Sequence, residues 1–73
     1  MKYAQQQRLV FIDFLLDHYG TLNRSALMDH FAIGPAQASR DISDYLALAP
    51  GNAVYDKTTK AYVRGAEFKR LYP

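Results

Sequence analysis

The chain contains no cysteine, which removes disulfides and thiolate zinc sites as sources of stability. It has no run long enough to cross a bilayer. Its one strongly apolar stretch, residues 9–16, is interrupted by Asp13 and falls well short of the roughly 20 residues a spanning helix needs. The opening residues, 1–8, are polar, where a secretory signal would soon turn apolar. A glycine-rich phosphate loop and a clustered carboxylate pair are also missing. The two Asp-His pairs, Asp17-His18 and Asp29-His30, are adjacent in sequence, and adjacent residues on a helix do not face each other. There is no internal repeat, and low complexity is confined to the three glutamines at 5–7. These absences point away from an enzyme, a metal site, a cofactor or a membrane protein, and toward a soluble protein of the cytoplasm.

With 73 residues the chain can form one domain, near the lower limit for folding without a staple. The apolar core must therefore supply the stability, and 49% hydrophobic residues with six Tyr and four Phe make that possible. The net charge of +2 is small but unevenly spread. Asp13 and Asp17 fall early, whereas Lys57, Lys60, Arg64, Lys69 and Arg70 are set against Glu67 alone after position 56. A basic C-terminal third suits contact with a polyanion or an acidic membrane surface, or else a solvated face.

Residues 4–19 read as a helix, with Leu9, Ile12, Leu16 and Tyr19 at helical spacing and Gly20 as a stop. Tyr3, Val10 and Phe14 form a second apolar line, available to the core or to a partner. A short helix is predicted over residues 24–31, capped by Asn23 or Thr21 and burying Ala26, Leu27 and Phe31. Gly34 can adopt backbone angles closed to other residues, and Pro35 suits the first position of a new helix. That third helix covers residues 35–48, with Ala38, Ile42, Tyr45 and Leu46 on one face and Ala36, Gln37, Arg40, Ser43 and Asp44 on the other. Pro50 and Gly51-Asn52 end it. Residues 53–64 have the pattern of a hairpin, two β-rich triplets flanking Asp56-Lys57-Thr58-Thr59-Lys60. Residues 66–72 fit a helical turn or a linker equally well.

The order of elements predicts a mainly α fold with a small β-hairpin: a winged helix-turn-helix, three helices plus a wing, over residues 1–65. Residues 66–73 are then a linker or the start of a following segment. A helix roughly 10–12 Å across fits the major groove of duplex DNA, where base edges carry a distinct donor and acceptor pattern. Its opening must be small or polar, and Pro35, Ala36, Gln37, Ala38, Ser39 and Arg40 meet that demand. Gln37 suits an adenine edge, and Arg40 a guanine or a phosphate; Ser43 lies one turn further along the same face. Arg24 and Ser25 open the second helix, whose amides and dipole favour a phosphate. Lys57, Thr58, Thr59 and Lys60 at the wing tip suit a phosphate row or the minor groove. Asp56 is better placed to shape the turn, and Asp41 to make a structural ion pair or hydrogen bond.

The stretch Ile33-Gly34-Pro35-Ala36-Gln37-Ala38-Ser39-Arg40-Asp41-Ile42 resembles the third-helix signature of bacterial winged-helix repressors. Together with Tyr19-Gly20-Thr21-Leu22-Asn23-Arg24, Phe31, Tyr45, Pro50, Tyr55-Asp56, Lys60 and Tyr62-Val63, it is similar to the N-terminal domain of WYL-domain regulators, in particular the BrxR and CapW type of repressor associated with anti-phage defence islands. The similarity spans about residues 8–70. It implies a homodimeric transcriptional repressor on an inverted repeat of double-stranded DNA, with Gln37, Ser39, Arg40 and Lys60 among the contacts. Such regulators continue into ligand-sensing and dimerisation domains, so this sequence reads as a fragment of a longer regulator. Gly34 departs from the pattern, standing where related repressors often carry a capping serine. The rival reading is a winged-helix module that binds protein through the Tyr3, Val10 and Phe14 line and leaves the third-helix face idle.

Overall fold

A computed structural model describes residues 3–73. The elements follow in the order α1 (Tyr3–Tyr19), β1 (Thr21–Leu22), α2 (Arg24–Phe31), α3 (Pro35–Leu48), β2 (Ala53–Asp56) and β3 (Ala61–Arg64). The three helices and the hairpin agree with the sequence reading. On α1, Leu9, Ile12 and Leu16 are fully buried, the inward stripe of an amphipathic helix. They meet Leu27 of α2 and Ala38, Ile42 and Tyr45 of α3 in one cluster. Each fully buried Leu or Ile contributes about 1.5–3 kcal/mol relative to exposure.

Helix α1 stops at Gly20, whose φ of +74° lets its N–H reach back to the carbonyls of Leu15 and Leu16, the turn glycine permits most cheaply. The chain then makes a strand that sequence reading overlooked. Thr21 pairs with Val63 and Leu22 with Tyr62, so β1 adds to the hairpin in the order β1-β3-β2. Two residues are too few to display a period, and their partners lie some forty positions away.

Asn23 caps α2, its Oδ1 accepting from the Ala26 N–H at 2.9 Å. The turn after α2 differs from expectation at one point. The left-handed residue is Ala32, with φ +54°, whereas Gly34 is extended at φ −81° and ψ 169° and caps α3 without a side-chain hydrogen bond. The chain reverses two residues earlier than the glycine suggested. Pro35 then opens α3. On α3 the expected outward face is also narrower: Gln37 and Asp44 are half-buried against α1, which leaves Ala36, Arg40, Ser43 and Ala47 exposed.

The hairpin turns through residues 57–60. The Thr58 N–H donates to Asp56 Oδ1 at 2.9 Å, the turn-shaping part expected of that carboxylate. Beyond β3, Gly65 passes so close to Gly51 that a Cβ there would lie 2.2 Å from the Gly51 carbonyl oxygen. This approach lets the Gly65 N–H donate to Asn52 and turns the chain back over the body.

The returning strap, residues 66–72, forms neither a helix nor a strand. It is held by side chains of the core. Asn52 clasps Lys69 from both sides, donating to its carbonyl at 2.8 Å and accepting from its N–H at 3.0 Å. Asp13 has no solvent exposure and accepts from the Tyr45 hydroxyl (2.5 Å), Arg70 Nε (2.8 Å) and the N–H groups of Leu71 and Tyr72. Burial alone would raise the pKa of this carboxyl. The hydrogen bonds from Tyr45, Leu71, Tyr72 and Arg70 outweigh it and hold the pKa below the ordinary 3.8. Burial and the same contact with Asp13 push the Tyr45 hydroxyl upward, so it remains a donor at neutral pH.

A depressed folded-state pKa means that Asp13 contributes its full stability above the ordinary carboxylate range. That contribution is lost as pH falls below 3.8 toward the folded-state value. Asp13→Asn replaces one acceptor oxygen with a donor among donors, and is expected to cost at least about 2 kcal/mol at neutral pH, the scale of hydrogen bonds to a charged group. Urea unfolding from about pH 3 to pH 6 should show the wild-type gain in stability with pH partly flattened in the variant.

Candidate nucleic-acid interface

The exposed ridge of α3 carries one long side chain. Ala36, Ser43 and Ala47 are small, and Arg40 stands among them. Small neighbours let a helix backbone come close to an opposing surface, and a single guanidinium supplies five donors at the point of contact. Ala38, Asp41, Ile42 and Tyr45, fully or nearly fully buried, hold this helix to the body.

Two clefts flank the ridge. The first, of about 360 Å³, lies between α3, the start of α2 and the wing, and is lined by Arg24, Ser39, Ile42, Tyr55, Lys60 and Tyr62. Arg24 Nη1 donates to Ser39 Oγ at 3.1 Å, so the first residue of α2 is tied to the side of α3. Lys60 closes the cleft from the wing. Its φ of +56° puts it in the left-handed region that glycine adopts most cheaply, at the last residue of the hairpin turn. Across the hairpin Tyr55 pairs with Tyr62, their rings 5.1 Å apart. The sequence reading used both tyrosines for the hairpin and the family resemblance but not as site residues, although hairpin register would have paired them.

The second cleft, about 220 Å³, lies between the starts of α1 and α3, where Ala4, Gln5 and Arg8 face Gln37 and Arg40. Here Arg8 Nε donates to Asp41 Oδ2 at 2.5 Å, and Gln37 Nε2 donates to Asp41 Oδ1 at 2.9 Å. Asp41 therefore makes the structural ion pair expected of it. The contribution of Arg8, from another helix, had no signal in the sequence beyond its charge.

The sequence-derived residues thus fall in two clefts and on exposed surface outside them rather than in one pocket. Arg24, Ser39 and Lys60 meet in the first cleft, Gln37 and Arg40 line the second, and Pro35, Ala36 and Ser43 are exposed on α3. Ser25 is exposed in the first turn of α2, and Lys57, Thr58 and Thr59 are exposed at the wing tip outside either cleft.

Charge is sorted in the same way. Arg8 and Arg70 are neutralised by Asp41, Asp13 and Asp17, while Arg64 donates to the Asp17 carbonyl and lies over Phe68. Of the five cations after position 56, Arg64 and Arg70 are thus turned onto α1. Among the described residues, Arg24, Arg40, Lys57, Lys60, Arg64 and Lys69 form no ion pair, and the first four lie on α3, at the start of α2 and on the wing.

The second apolar line of α1 is also visible. Tyr3 and Phe14 are 77% and 40% exposed, and Val10 is half-buried, on the face turned away from Ile12. His18 stacks on Phe14 and His30 on Phe11, so each Asp-His pair is split between different surroundings. Among the described residues no three His, Asp or Glu side chains gather as metal ligands, and no helix is long and apolar enough to cross a membrane.

Comparison with known proteins agrees with this geometry. Over 71 residues the chain is 42% identical to the DNA-binding transcriptional repressor CapW of Escherichia coli (strain KTE188), covering 97% of this chain and 24% of the relative. It is 42% identical over 72 residues to CapW of Pseudomonas aeruginosa, covering 99% and 24%. Against CapW of Stenotrophomonas maltophilia it is 44% identical over 71 residues, covering 97% and 24%. The chain spans about a quarter of the length of these curated relatives. The family model that matches it, over residues 4–72, is that of the BrxR transcriptional regulator winged helix-turn-helix domain. With a match over nearly its whole length, the chain belongs to that family.

Proposed function

We propose that this domain binds double-stranded DNA sequence-specifically as the reading head of a transcriptional repressor. The observation that carries the reading is the set of unpaired cations, Arg24, Arg40, Lys57 and Lys60, together with an α3 ridge of small residues. Helix α3 enters the major groove, and its first two turns, Pro35, Ala36, Gln37, Ser39 and Arg40, approach the base edges, with Ser43 beside them. Arg40 pairs with a guanine or a phosphate, and Gln37 with an adenine. Arg24 and Ser25 take a phosphate at the start of α2. The wing lays Lys57, Thr58, Thr59 and Lys60 on the backbone or the minor groove.

One such module covers on the order of 600–1,000 Å², too little for tight specific binding at physiological salt. In a longer regulator, with the strap of residues 66–72 packed back onto this domain, two copies acting as a homodimer would engage an inverted repeat. The half-sites would be about one helical turn, or a multiple of it, apart. The setting is cytoplasmic, and the genes controlled are those of anti-phage defence, as the resemblance that includes residues 33–42 implies. The reading invokes no catalytic step and no cofactor.

Arg40→Ala is expected to lower affinity for a selected operator by roughly 1–3 kcal/mol without lowering thermal stability, since Arg40 is exposed and unpaired. Titrations at several salt concentrations check this, and unchanged binding would sink the assignment. Lys60→Gly should act in opposite directions on fold and function. It relieves the left-handed strain and raises stability by up to about 1 kcal/mol, while it removes a cation and makes the logarithmic salt slope less steep by about 0.9. Fusion of the domain to an unrelated dimeric protein should sharply increase affinity for duplexes with two inverted half-sites. Equal affinity in fused and unfused forms would show that one copy suffices.

A further inference from the structure

A glutamine in a major groove is ambiguous. Its terminal torsion is broad and roughly two-fold, so the carboxamide can turn over and offer a donor or an acceptor to the same base. Gln37 lacks that freedom. Its Nε2 donates to Asp41 Oδ1 at 2.9 Å, and Asp41 has no solvent exposure. Arg8 fixes the same carboxylate, through Nε to Oδ2 at 2.5 Å and Nη2 to Oδ1 at 3.5 Å. A carboxylate only accepts, so the side of Gln37 that faces it must be the NH2 group.

With one amide hydrogen committed inward, the free edge of Gln37 carries Oε1 beside the second N–H. An acceptor next to a donor complements adenine, whose N6 amino group donates and whose N7 accepts. Guanine presents two acceptors at the same place, O6 and N7, and one of them would face Oε1. We infer that Asp41, anchored by Arg8, is a positioning residue that restricts Gln37 to adenine, an inference that rests on the DNA-reading role of α3 proposed above. Neither Asp41 nor Arg8 touches DNA in this arrangement.

The arrangement can be inverted by one isosteric change. Arg8 has only donors, so in Asp41→Asn the side-chain oxygen turns to Arg8 and the new NH2 group faces Gln37. Gln37 must then turn over to accept through Oε1, and its free edge becomes donors alone. Donors match guanine O6 and N7 or thymine O4.

The test is position-resolved selection from a random duplex pool with the whole chain. Wild type is expected to prefer adenine over guanine about tenfold at one position, and Gln37→Ala to lose the preference at that position only. Asp41→Asn is expected to move it there to guanine or thymine, with the other positions unchanged. A purely structural role for Asp41 would weaken binding at all positions alike and overturn the inference, as would retention of adenine by Asp41→Asn. If wild type selects no sequence at all, the DNA-reading role itself fails and this inference with it. Should Asp41→Asn not fold, the wild-type chain decides by NMR. One Gln37 side-chain amide proton should be protected from exchange with water and the other not, and equal rapid exchange of both overturns the inference.

Discussion

A carboxylate withdrawn from water survives in a protein only if donors replace the water it loses, and Asp13 is where this requirement organises the domain. Its oxygens collect the Tyr45 hydroxyl from α3 and three groups from the C-terminal strap. Tyr45 in turn accepts from Asn52, which holds Lys69. First helix, third helix, the start of the hairpin and the strap therefore share one set of hydrogen bonds, and among the described residues no buried side-chain polar atom is left without a partner. The apolar cluster determines that the helices pack. The Asp13 network determines their register and where the strap lies.

The same economy applies to charge. Acidic side chains of α1 and α3 are matched to arginines that would otherwise add to the positive surface, Arg8 with Asp41 and Arg70 with Asp13 and Asp17. Of the cations left unpaired among the described residues, Arg24, Arg40, Lys57 and Lys60 lie along α3, the start of α2 and the wing, and Arg64 and Lys69 lie at the end of β3 and on the strap. A weak net charge of +2 is thus compatible with four unpaired cations on one set of elements, because steering of a polyanion depends on where charge is unpaired and not on the sum.

Much of this was legible in the sequence, and the limits follow from the physics of each element. Helix periodicity, the Asn23 cap and the Pro35 start are local signals, and they located α1, α2 and α3 to within a residue. The resemblance carried by residues 33–42 pointed to the fold family directly. What escaped was non-local. Strand β1 exists only because Tyr62 and Val63 lie beside it. Asp13 looked like an interruption of an apolar run, and nothing nearby in sequence announced the strap that surrounds it. Gly34 drew attention as the flexible residue of the turn, yet Ala32 takes the left-handed conformation. Gln37 and Asp44 share a helix face with Asp41, and only the packing of α1 converts that face from solvent to contact.

The outward ridge of α3 also separates two classes of substitution. Ala36, Ser43 and Ala47 are exposed, and none donates or accepts a side-chain hydrogen bond among the described residues. Arg40 likewise has no ion-pair partner there. Changes at these positions leave no cavity and no orphaned partner, so they alter what the helix presents at little cost to the fold. Gln37 and Ser39 are each tied to another side chain, and changing either disturbs Asp41 or Arg24 as well. Divergence in what this surface recognises is therefore cheap along the crest of the helix and expensive along its flanks, and paired exchanges, Gln37 with Asp41 or Ser39 with Arg24, are the form that change on the flanks must take.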